Sequence, residues 1–310
     1  MPEAHHTTAT TRGDAGRLMT LATYASTTVA VILIVAKLFA WWMTDSVAVL
    51  STLIDSMLDA AASVLTLLAV HHAIQPADRE HRFGHGKAEA LAGLGQAAFV
   101  AGSGCLLMFE AVKRLIQPVP MQKEWVGVIV MVLAMVLTLA LVAFQNYVVR
   151  KTQSVAITAD SLHYKGDLLI NGSVLAGLGI HYFWGVRYLD PLLAVGVVAY
   201  LLWNAWKIAM DALDMLMDRE LPDEDRAAIK EIVTRHKDVR SFHDLRSRRS
   251  GTDMFIQLHL ELDPDMPLVR AHEIADDVEI EILKAFPNAE VIIHQDPEGI
   301  EEDHPAVAGR

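Results

Sequence analysis

Four acidic and imidazole side chains lie within long apolar stretches of this 310-residue chain. Asp55 and Asp59 are four residues apart, and so are His163 and Asp167. On a helix this spacing places both members of a pair on one face, one turn apart. Ionisable groups inside a membrane are costly and persist mainly where they face a partner or a watery cavity. Three carboxylates and one imidazole on two facing helices therefore predict a tetrahedral site for a divalent cation such as Zn²⁺.

The alternative interpretation is that these groups only hydrogen-bond between helices, as single polar side chains in membrane helices commonly do. Three carboxylates at that depth, with no matching lysine expected beside them, are unusual in such a role. Lys165 is only two residues from His163 and therefore lies on another part of the helix surface. The pattern favours the metal site.

A second cluster of possible ligands lies in the polar segment 75–88. Asp78, His81 and His85 supply one carboxylate and two imidazoles within a short stretch of chain. Such a set could hold zinc, with water or another group as the fourth ligand. An ordinary charged loop would also contain these residue types, and the spacing alone leaves both interpretations open.

A third set of candidate ligands lies in the last third of the chain. Its members are His243, His259, His272, His294 and Asp296. In an extended strand, His294 and Asp296 share one face because side chains alternate with period two, and His259 lies on the polar face of its own strand. Scattered surface histidines remain the alternative to a metal cluster here.

Six apolar stretches are long enough to cross a bilayer as helices, which takes roughly 20 residues each. The predicted spans are 18–42, 47–73, 90–116, 125–148, 155–183 and 189–210. Hydrophobic residues make up 53% of the chain, which is high for a soluble protein. We therefore predict a six-helix transmembrane bundle over residues 18–211, preceded by a disordered segment over residues 1–17.

Lysine and arginine residues near the ends of the spans predict the orientation in the lipid bilayer. An even number of spans puts both termini on one side. With the N-terminus inside, the inner segments carry Arg12, Arg17, Arg79, Arg82, Lys87, Arg150 and Lys151. The outer loops then carry only Lys113, Arg114, Lys123 and Arg187. We expect both termini in the cytoplasm and the protein in the inner, cytoplasmic membrane.

Residues 212–297 predict a small cytoplasmic α/β domain with the element order αββαβ, a ferredoxin-like arrangement. A helix opens at Pro222, where proline and acidic residues suit a first turn. Residues 254–262 alternate between apolar and polar as in a half-buried strand, and 268–286 have the spacing of an amphipathic helix. Strands near 239–246 and 290–295 complete the pattern. Residues 298–310 are predicted to form a disordered tail.

Charge and cysteine usage exclude several functional classes. Residues 1–211 contain equal numbers of acidic and basic side chains, so the net charge of −12 lies in residues 212–310. No nucleic-acid partner is expected, because binding driven by phosphate contacts needs a basic excess. The single cysteine, Cys105, excludes a disulfide framework and a thiolate zinc cluster. No Walker A motif is present, so an ATP-driven pump is not expected either.

These motifs are specific in combination. Six spans, DSMLD in the second, DSLHYKGD in the fifth, the loop PADREHRFGHGKAEAL and a tail containing HDLRSRRSG, FIQLHLEL and VIIHQDP resemble the cation diffusion facilitator family. The resemblance is strongest to the bacterial zinc and iron efflux members and covers roughly residues 15–297. It implies proton-coupled export of divalent metal by a homodimer.

The resemblance also implies roles for individual residues. The transport site would consist of Asp55, Asp59, His163 and Asp167, and the loop site of Asp78, His81 and His85. A binuclear cytoplasmic site near the contact between the two tails of the dimer would use His243, His259, His272, His294 and Asp296. A charge interlock would join Lys87 to Asp218.

The predicted function is therefore a secondary antiporter, and not an enzyme, that exports Zn²⁺ and also Cd²⁺ from the cytoplasm against protons. Zn²⁺ is expected in the cytoplasmic domain as well. One alternative is the same mechanism with Fe²⁺, Co²⁺, Ni²⁺ or Mn²⁺, although His163 disfavours the harder Mn²⁺. The others are a metal sensor that transports nothing and an intramembrane zinc hydrolase, which would normally keep three protein ligands and an open position.

Overall fold

The computed structural model describes residues 12–44, 47–116, 125–184 and 189–299. Residues 1–11 of the predicted N-terminal segment and most of the predicted tail lie outside these ranges. The described chain divides into two compact units, one over Arg12–Met217 and one beginning at Asp218.

Six long helices form the first unit. They are α1 (Arg12–Thr44), α2 (Val47–Ala73), α3 (Lys87–Ile116), α4 (Trp125–Thr152), α5 (Val155–Trp184) and α6 (Leu189–Leu216). Within the described residues, four segments are long and apolar enough to cross a membrane: Gly13–Met43, Thr52–Ala73, Lys87–Phe109 and Met131–Thr152. A transmembrane helical region is therefore confirmed, whereas the crossing of the bilayer by all six helices stays a prediction.

Helix α1 begins before the predicted first span. Residues 12–17 are helical rather than disordered, because the helix buries apolar side chains in its first turns. Ala15 is buried, and Met19 packs in a core cluster with Val70 of α2 and Val148 of α4. At the other end of the unit, α6 continues past the predicted limit of residue 210 to Leu216.

Small residues hold α5 close to its neighbours. A Cβ atom at Gly93 of α3 would lie 2.7 Å from Cγ1 of Val155, at the start of α5. A Cβ at Gly166 of α5 would lie 3.2 Å from both terminal methyl carbons of Leu201 in α6. Small residues at helix interfaces allow this close approach of backbones. The position of α5, which contains His163 and Asp167, is thus set by α3 and α6.

The second unit has the predicted order αββαβ. Its elements are α7 (Asp223–Arg235), β1 (Ser241–Ser250), β2 (Asp253–Leu262), α8 (Leu268–Ala285) and β3 (Ala289–Pro297). The strands lie in the order β1-β2-β3, with β1 antiparallel and β3 parallel to the central β2. The parallel pair is possible because α8 provides the crossover between β2 and β3.

Apolar side chains on one face of the sheet form the core of this unit. Alternate residues of β2 from Ile256 to Leu262 are buried against apolar positions of α7 and α8 such as Ile229, Ile274 and Ile282. The strand register pairs His243 with His259, and His259 with His294. One imidazole from each strand therefore lies in a row across the sheet.

Candidate metal sites

Helices α2 and α5 bring together three of the four predicted transport ligands. Nε2 of His163 lies 3.0 Å from Oδ1 of Asp59 and 3.9 Å from Oδ2 of Asp167. The three ligand atoms all lie within 4.8 Å of one another. His163 Nε2 is buried and has no hydrogen-bond partner among the described residues. A buried nitrogen without a hydrogen bond, facing two carboxylates, fits a divalent metal ligand.

Asp55 is the fourth predicted transport ligand, and the structure does not place it in this trio. It lies one turn before Asp59 on α2, and its side chain is exposed in the single chain. The i,i+4 spacing puts the carboxylates of Asp55 and Asp59 on one helix face. It does not determine which of the two side chains adopts a rotamer that reaches α5. Three protein ligands are thus assembled, and Asp55 is adjacent to them.

A lysine from α1 reaches the same part of α2, contrary to the expectation of no lysine at that depth. Nζ of Lys37 donates to the hydroxyl of Ser56 at 2.6 Å and to the carbonyl of Thr52 at 3.0 Å. Ser56 is the residue next to Asp55. No sequence pattern indicates this contact, because it depends on how α1 packs along α2.

Besides Asp167, the motif DSLHYKGD contains a carboxylate that is buried and was not among the predicted site residues. Asp160 is fully buried on α5, three residues before His163. Nε2 of Gln145 donates to its Oδ2 at 2.7 Å, and Nε2 of Gln96 donates to its Oδ1 at 3.3 Å. A carboxylate in this position links α3, α4 and α5. The sequence feature that could have indicated this network is the presence of an acidic residue and two glutamines within predicted membrane spans.

Tyr164 packs against the ring of His163 and helps to orient it. Its buried ring meets that of His163 with centroids 5.4 Å apart. Its hydroxyl lies 2.7 Å from the hydroxyl of Ser63 on α2 and donates to the carbonyl of Ser26 on α1 at 3.3 Å. The orientation of the histidine therefore depends on contacts with two further helices.

The predicted loop ligands lie between α2 and α3 and form a compact group. Oδ1 of Asp78 lies 3.5 Å from Nδ1 of His81, and its Oδ2 lies 3.3 Å from Nε2 of His85. Gly84 has a φ of 78°, which only glycine adopts readily, and its N–H donates to the carbonyl of His81. This turn brings His81 and His85 to the same carboxylate.

Backbone hydrogen bonds prepare Asp78 to act as an anionic ligand. Its Oδ1 accepts the N–H groups of His81 at 2.6 Å and of Glu80 at 2.8 Å. The hydrogen bond from His81 is the largest influence on the Asp78 carboxyl, and it lowers the pKa below the ordinary value of 3.8. The side chain is therefore ionised at neutral pH, as metal binding requires.

Four of the five predicted cytoplasmic ligands lie together, with three imidazoles around the carboxylate of Asp296. Oδ2 of Asp296 lies 2.8 Å from Nδ1 of His259 and 3.5 Å from Nε2 of His243, and its Oδ1 lies 3.0 Å from Nε2 of His294. Asp296 is only 5% exposed, whereas His294 is 61% exposed. The strand register explains the row of histidines. The buried Asp296 therefore presents both oxygens to imidazoles, and His243, His259 and Asp296 form the tightest group.

His272 does not join this cluster within one chain. It lies on α8, is 67% exposed, and its Nδ1 is 3.5 Å from Oδ1 of Asp276 one turn later. Conversely, Glu261 was not among the predicted ligands, yet its Oε1 lies 3.3 Å from Nδ1 of His243. The antiparallel pairing of β1 with β2 brings Glu261 near His243, and this register was not predictable from ligand spacing.

The residues of the implied charge interlock each have a partner within their own unit. Nζ of Lys87 donates to the carbonyl of Leu216 at 3.3 Å. Oδ1 of Asp218 accepts from the Arg248 guanidinium at 3.1 Å. The direct pairing of Lys87 with Asp218 stays a prediction.

Comparisons with known proteins cover both units. Residues 23–217 match the family model described as the cation efflux transmembrane domain, and residues 221–298 match that of the cation efflux protein cytoplasmic domain. The cation-efflux pump FieF of Klebsiella pneumoniae is 49% identical over 285 residues, covering 92% of this chain and 95% of that protein. FieF of Cronobacter sakazakii is 49% identical over 284 residues, covering 92% and 94%. FieF of Escherichia coli is 48% identical over 282 residues, covering 91% and 94%.

The last third of the chain is also similar to a solved structure, the metal-bound C-terminal domain of the CzcD transporter from Thermotoga maritima. That domain is 34% identical, and the match covers 26% of this chain and 93% of that chain, with a TM-score of 0.25.

Proposed function

Because this chain belongs to the cation efflux family and is a multi-pass membrane transporter rather than an enzyme, we propose that it exports Zn²⁺ from the cytoplasm in exchange for protons. The observation that carries this proposal is the trio of Asp59, His163 and Asp167, which two membrane helices bring together. Two carboxylates and one imidazole suit a borderline divalent ion. Asp55, one turn away on α2, would complete the four-ligand set when the metal binds.

Competition for the ligand atoms couples metal to protons. The carboxylates of Asp59 and Asp167 and Nε2 of His163 must be free of protons to bind a metal ion. Protons arriving from outside would therefore displace the ion, and an ion arriving from the cytoplasm would displace protons. If the site opens alternately to the two sides of the inner membrane, this competition becomes exchange. The larger number of lysine and arginine residues on one side of the predicted spans supports placing both termini in the cytoplasm.

The types of ligand in the trio limit which metal ions the protein is expected to transport. The imidazole of His163 favours Zn²⁺ and Cd²⁺ over Mn²⁺, which prefers an all-oxygen site. Fe²⁺ is the main alternative substrate, since imidazole also suits iron. The relatives are named as cation-efflux pumps without a specified metal.

The cytoplasmic unit would hold resident Zn²⁺ at His243, His259, His294 and Asp296. These residues fit zinc, because Asp296 is buried among imidazoles and Nδ1 of His243 has no hydrogen-bond partner among the described residues. Zinc bound there would neutralise carboxylate charge. We further propose that the protein is a homodimer and that its tails meet near this cluster, where the exposed His294 and His272 could act across the contact.

The test is metal flux into reconstituted vesicles under an imposed pH gradient. We expect uptake of Zn²⁺ and Cd²⁺, little uptake of Mn²⁺, and loss of uptake when a protonophore removes the gradient. Fe²⁺ is measured in parallel under reducing conditions. Flux that is independent of the pH gradient would contradict proton coupling, and the absence of any metal flux would contradict transport at this site.

A further inference from the structure

The loop cluster of Asp78, His81 and His85 supplies three protein ligands, whereas structural zinc sites are almost always held by four. A further imidazole lies beside it. His72, in the last turn of α2, meets the ring of His85 in a T-shaped arrangement, with centroids 4.5 Å apart and planes at 63°. His81 meets the ring of His85 at 4.6 Å. Imidazoles from His72 and His81 thus both contact His85.

His85 itself indicates that a ligand belongs at this place. Its side chain is 4% exposed, and its Nε2 faces Oδ2 of Asp78. Its Nδ1 is buried and has no hydrogen-bond partner among the described residues. Leaving a buried polar atom unsatisfied is costly, and such atoms frequently mark a site for an ion or a water molecule. The surrounding imidazoles and carboxylate favour a metal ion.

His72 can reach such an ion with little change in the backbone. Its carbonyl accepts the N–H of Gln75 at 3.1 Å, so the end of α2 continues into an ordered turn before Asp78. Its side chain is exposed and lies outside the trio of ligand atoms within 4.8 Å of one another. Rotation about side-chain bonds is inexpensive for an exposed residue, since staggered rotamers are close in energy.

We propose that His72 is the fourth protein ligand of the loop site, so that Zn²⁺ is held there by Asp78, His72, His81 and His85. This inference rests on the proposed function of the loop trio as a metal site. Four protein ligands leave no open position, which is typical of structural and not of catalytic zinc. The closed site would connect the last turn of α2 to the loop that leads into α3. Helix α2 also carries Asp59, one of the proposed transport ligands.

The test uses the purified full-length protein with Zn²⁺ and with Co²⁺ as a spectroscopic probe. The background variant carries Asp59→Asn and His259→Ala, which weaken the other two sites. We expect His72→Ala to lower the loop affinity for Zn²⁺ at least about tenfold, since loss of even an outer partner of a metal ligand costs 10- to 100-fold. We also expect it to weaken the visible absorption of tetrahedral Co²⁺. His72→Asp, which keeps a ligand atom, should restore part of both signals.

His71 provides the matched control, because it is the neighbouring exposed histidine at the same helix end. His71→Ala should leave affinity and Co²⁺ absorption unchanged. If His72→Ala behaves like His71→Ala, the assignment of His72 is overturned while the three-residue site survives. If His85→Ala also leaves the number of bound ions unchanged, the loop site itself is wrong. Vesicle flux of His72→Ala and His71→Ala, made in the otherwise unchanged protein with Asp59 and His259 intact, reports on transport separately.

Discussion

His163 has a central position among the residues expected to bind the transported metal. Its Nε2 faces Asp59 from one helix and Asp167 from its own, and its ring contacts those of Phe99 and Tyr164. The aromatic contacts fix the direction of the nitrogen, while the carboxylates supply the negative charge that a divalent ion requires. In the proposed transport site, this small set of side chains would determine both the affinity for the metal ion and the choice of metal.

Asp59→Ala should abolish zinc flux and leave the fold intact. The substitution removes a carboxylate whose Oδ1 lies 3.0 Å from Nε2 of His163. It also removes the energetic cost of an ionisable group within an apolar helix. Asp55→Ala should reduce flux less, because Asp55 lies outside the assembled trio. Flux in vesicles, normalised to the amount of folded protein, tests both variants. Wild-type flux in Asp59→Ala would contradict the assignment of the transport site.

His163→Asp should weaken discrimination against Mn²⁺. An all-carboxylate site suits a harder ion better than a site containing imidazole. The ratio of zinc flux to manganese flux in vesicles should fall relative to wild type. An unchanged ratio would place selectivity in the geometry of the cavity instead of in the ligand type.

Asp78 should add no pH dependence to zinc binding at the loop site near neutral pH. The backbone hydrogen bond from His81 lowers the pKa of Asp78 below 3.8, so stabilisation by the ionised carboxylate is complete above that pH. It is lost only as the pH falls through the lowered pKa. Asp78→Asn should therefore weaken zinc binding by a constant factor, about tenfold, at every pH between 5 and 8. Zinc titrations across this range check the prediction; a loss of affinity that changes with pH would contradict it.

At the level of elements, α5 carries two of the proposed transport ligands, His163 and Asp167, and its neighbours determine where these ligands lie. Gly93 and Gly166 permit close contact with Val155 and Leu201, respectively. One turn from His163, Asp160 accepts hydrogen bonds from glutamines of α3 and α4. The helix is thus fixed by apolar contacts and by a buried polar network, which is favourable only while its members remain paired.

Gln145→Leu should destabilise the helix packing, because it removes the shorter of the two amide hydrogen bonds to Asp160. Loss of one partner of a buried carboxylate costs about 1–3 kcal/mol. We expect a lower Tm in detergent for this variant. The double variant with Asp160→Leu should lose less than the sum of the two single changes, since no buried carboxylate then lacks its partner. Additive losses would show that the two residues are not coupled.

At the level of the whole molecule, a membrane unit with no net charge is joined to a strongly acidic cytoplasmic unit. Residues 212–310 carry the entire net charge of −12, so two such tails repel each other. Divalent cations bound between them would offset this repulsion. In the proposed homodimer, metal-dependent association of the tails is expected from charge as well as from the ligand cluster around Asp296.

Residues 212–310 expressed alone should be weakly dimeric without metal and should dimerise on addition of Zn²⁺. The fragment contains a compact unit with its own apolar core, so it is expected to fold. Zinc should also raise its Tm, because a ligand that binds only the assembled state stabilises that state by mass action. Sedimentation and thermal melts with and without zinc are the measurements.

His294→Ala should reduce this response, since Nε2 of His294 contacts Asp296 and its side chain is largely exposed. His236→Ala is the control, because His236 lies outside the cluster, near Asp277. A fragment that is equally dimeric and equally stable with and without zinc would contradict a zinc-dependent contact between the tails at these histidines.

The sequence by itself determined the features that depend on local periodicity and composition. Apolar stretches of sufficient length predicted the helices, and alternation and helical spacing predicted the order αββαβ. The i,i+4 pair of His163 and Asp167 and the period-two pair of His294 and Asp296 were also readable, because both depend only on the repeat of one element. The change from zero net charge in residues 1–211 to −12 in residues 212–310 separated a membrane region from a tail.

Only the tertiary structure decided which of these residues meet. Helix packing brings Lys37 to Ser56 and two glutamines to Asp160, and strand register brings Glu261 to His243. The same packing leaves Asp55 beside the transport trio and His272 apart from the cytoplasmic cluster within one chain. Spacing along an element fixes only the face on which a side chain lies, whereas contacts between elements depend on their separation, rotation and register, which no local pattern encodes.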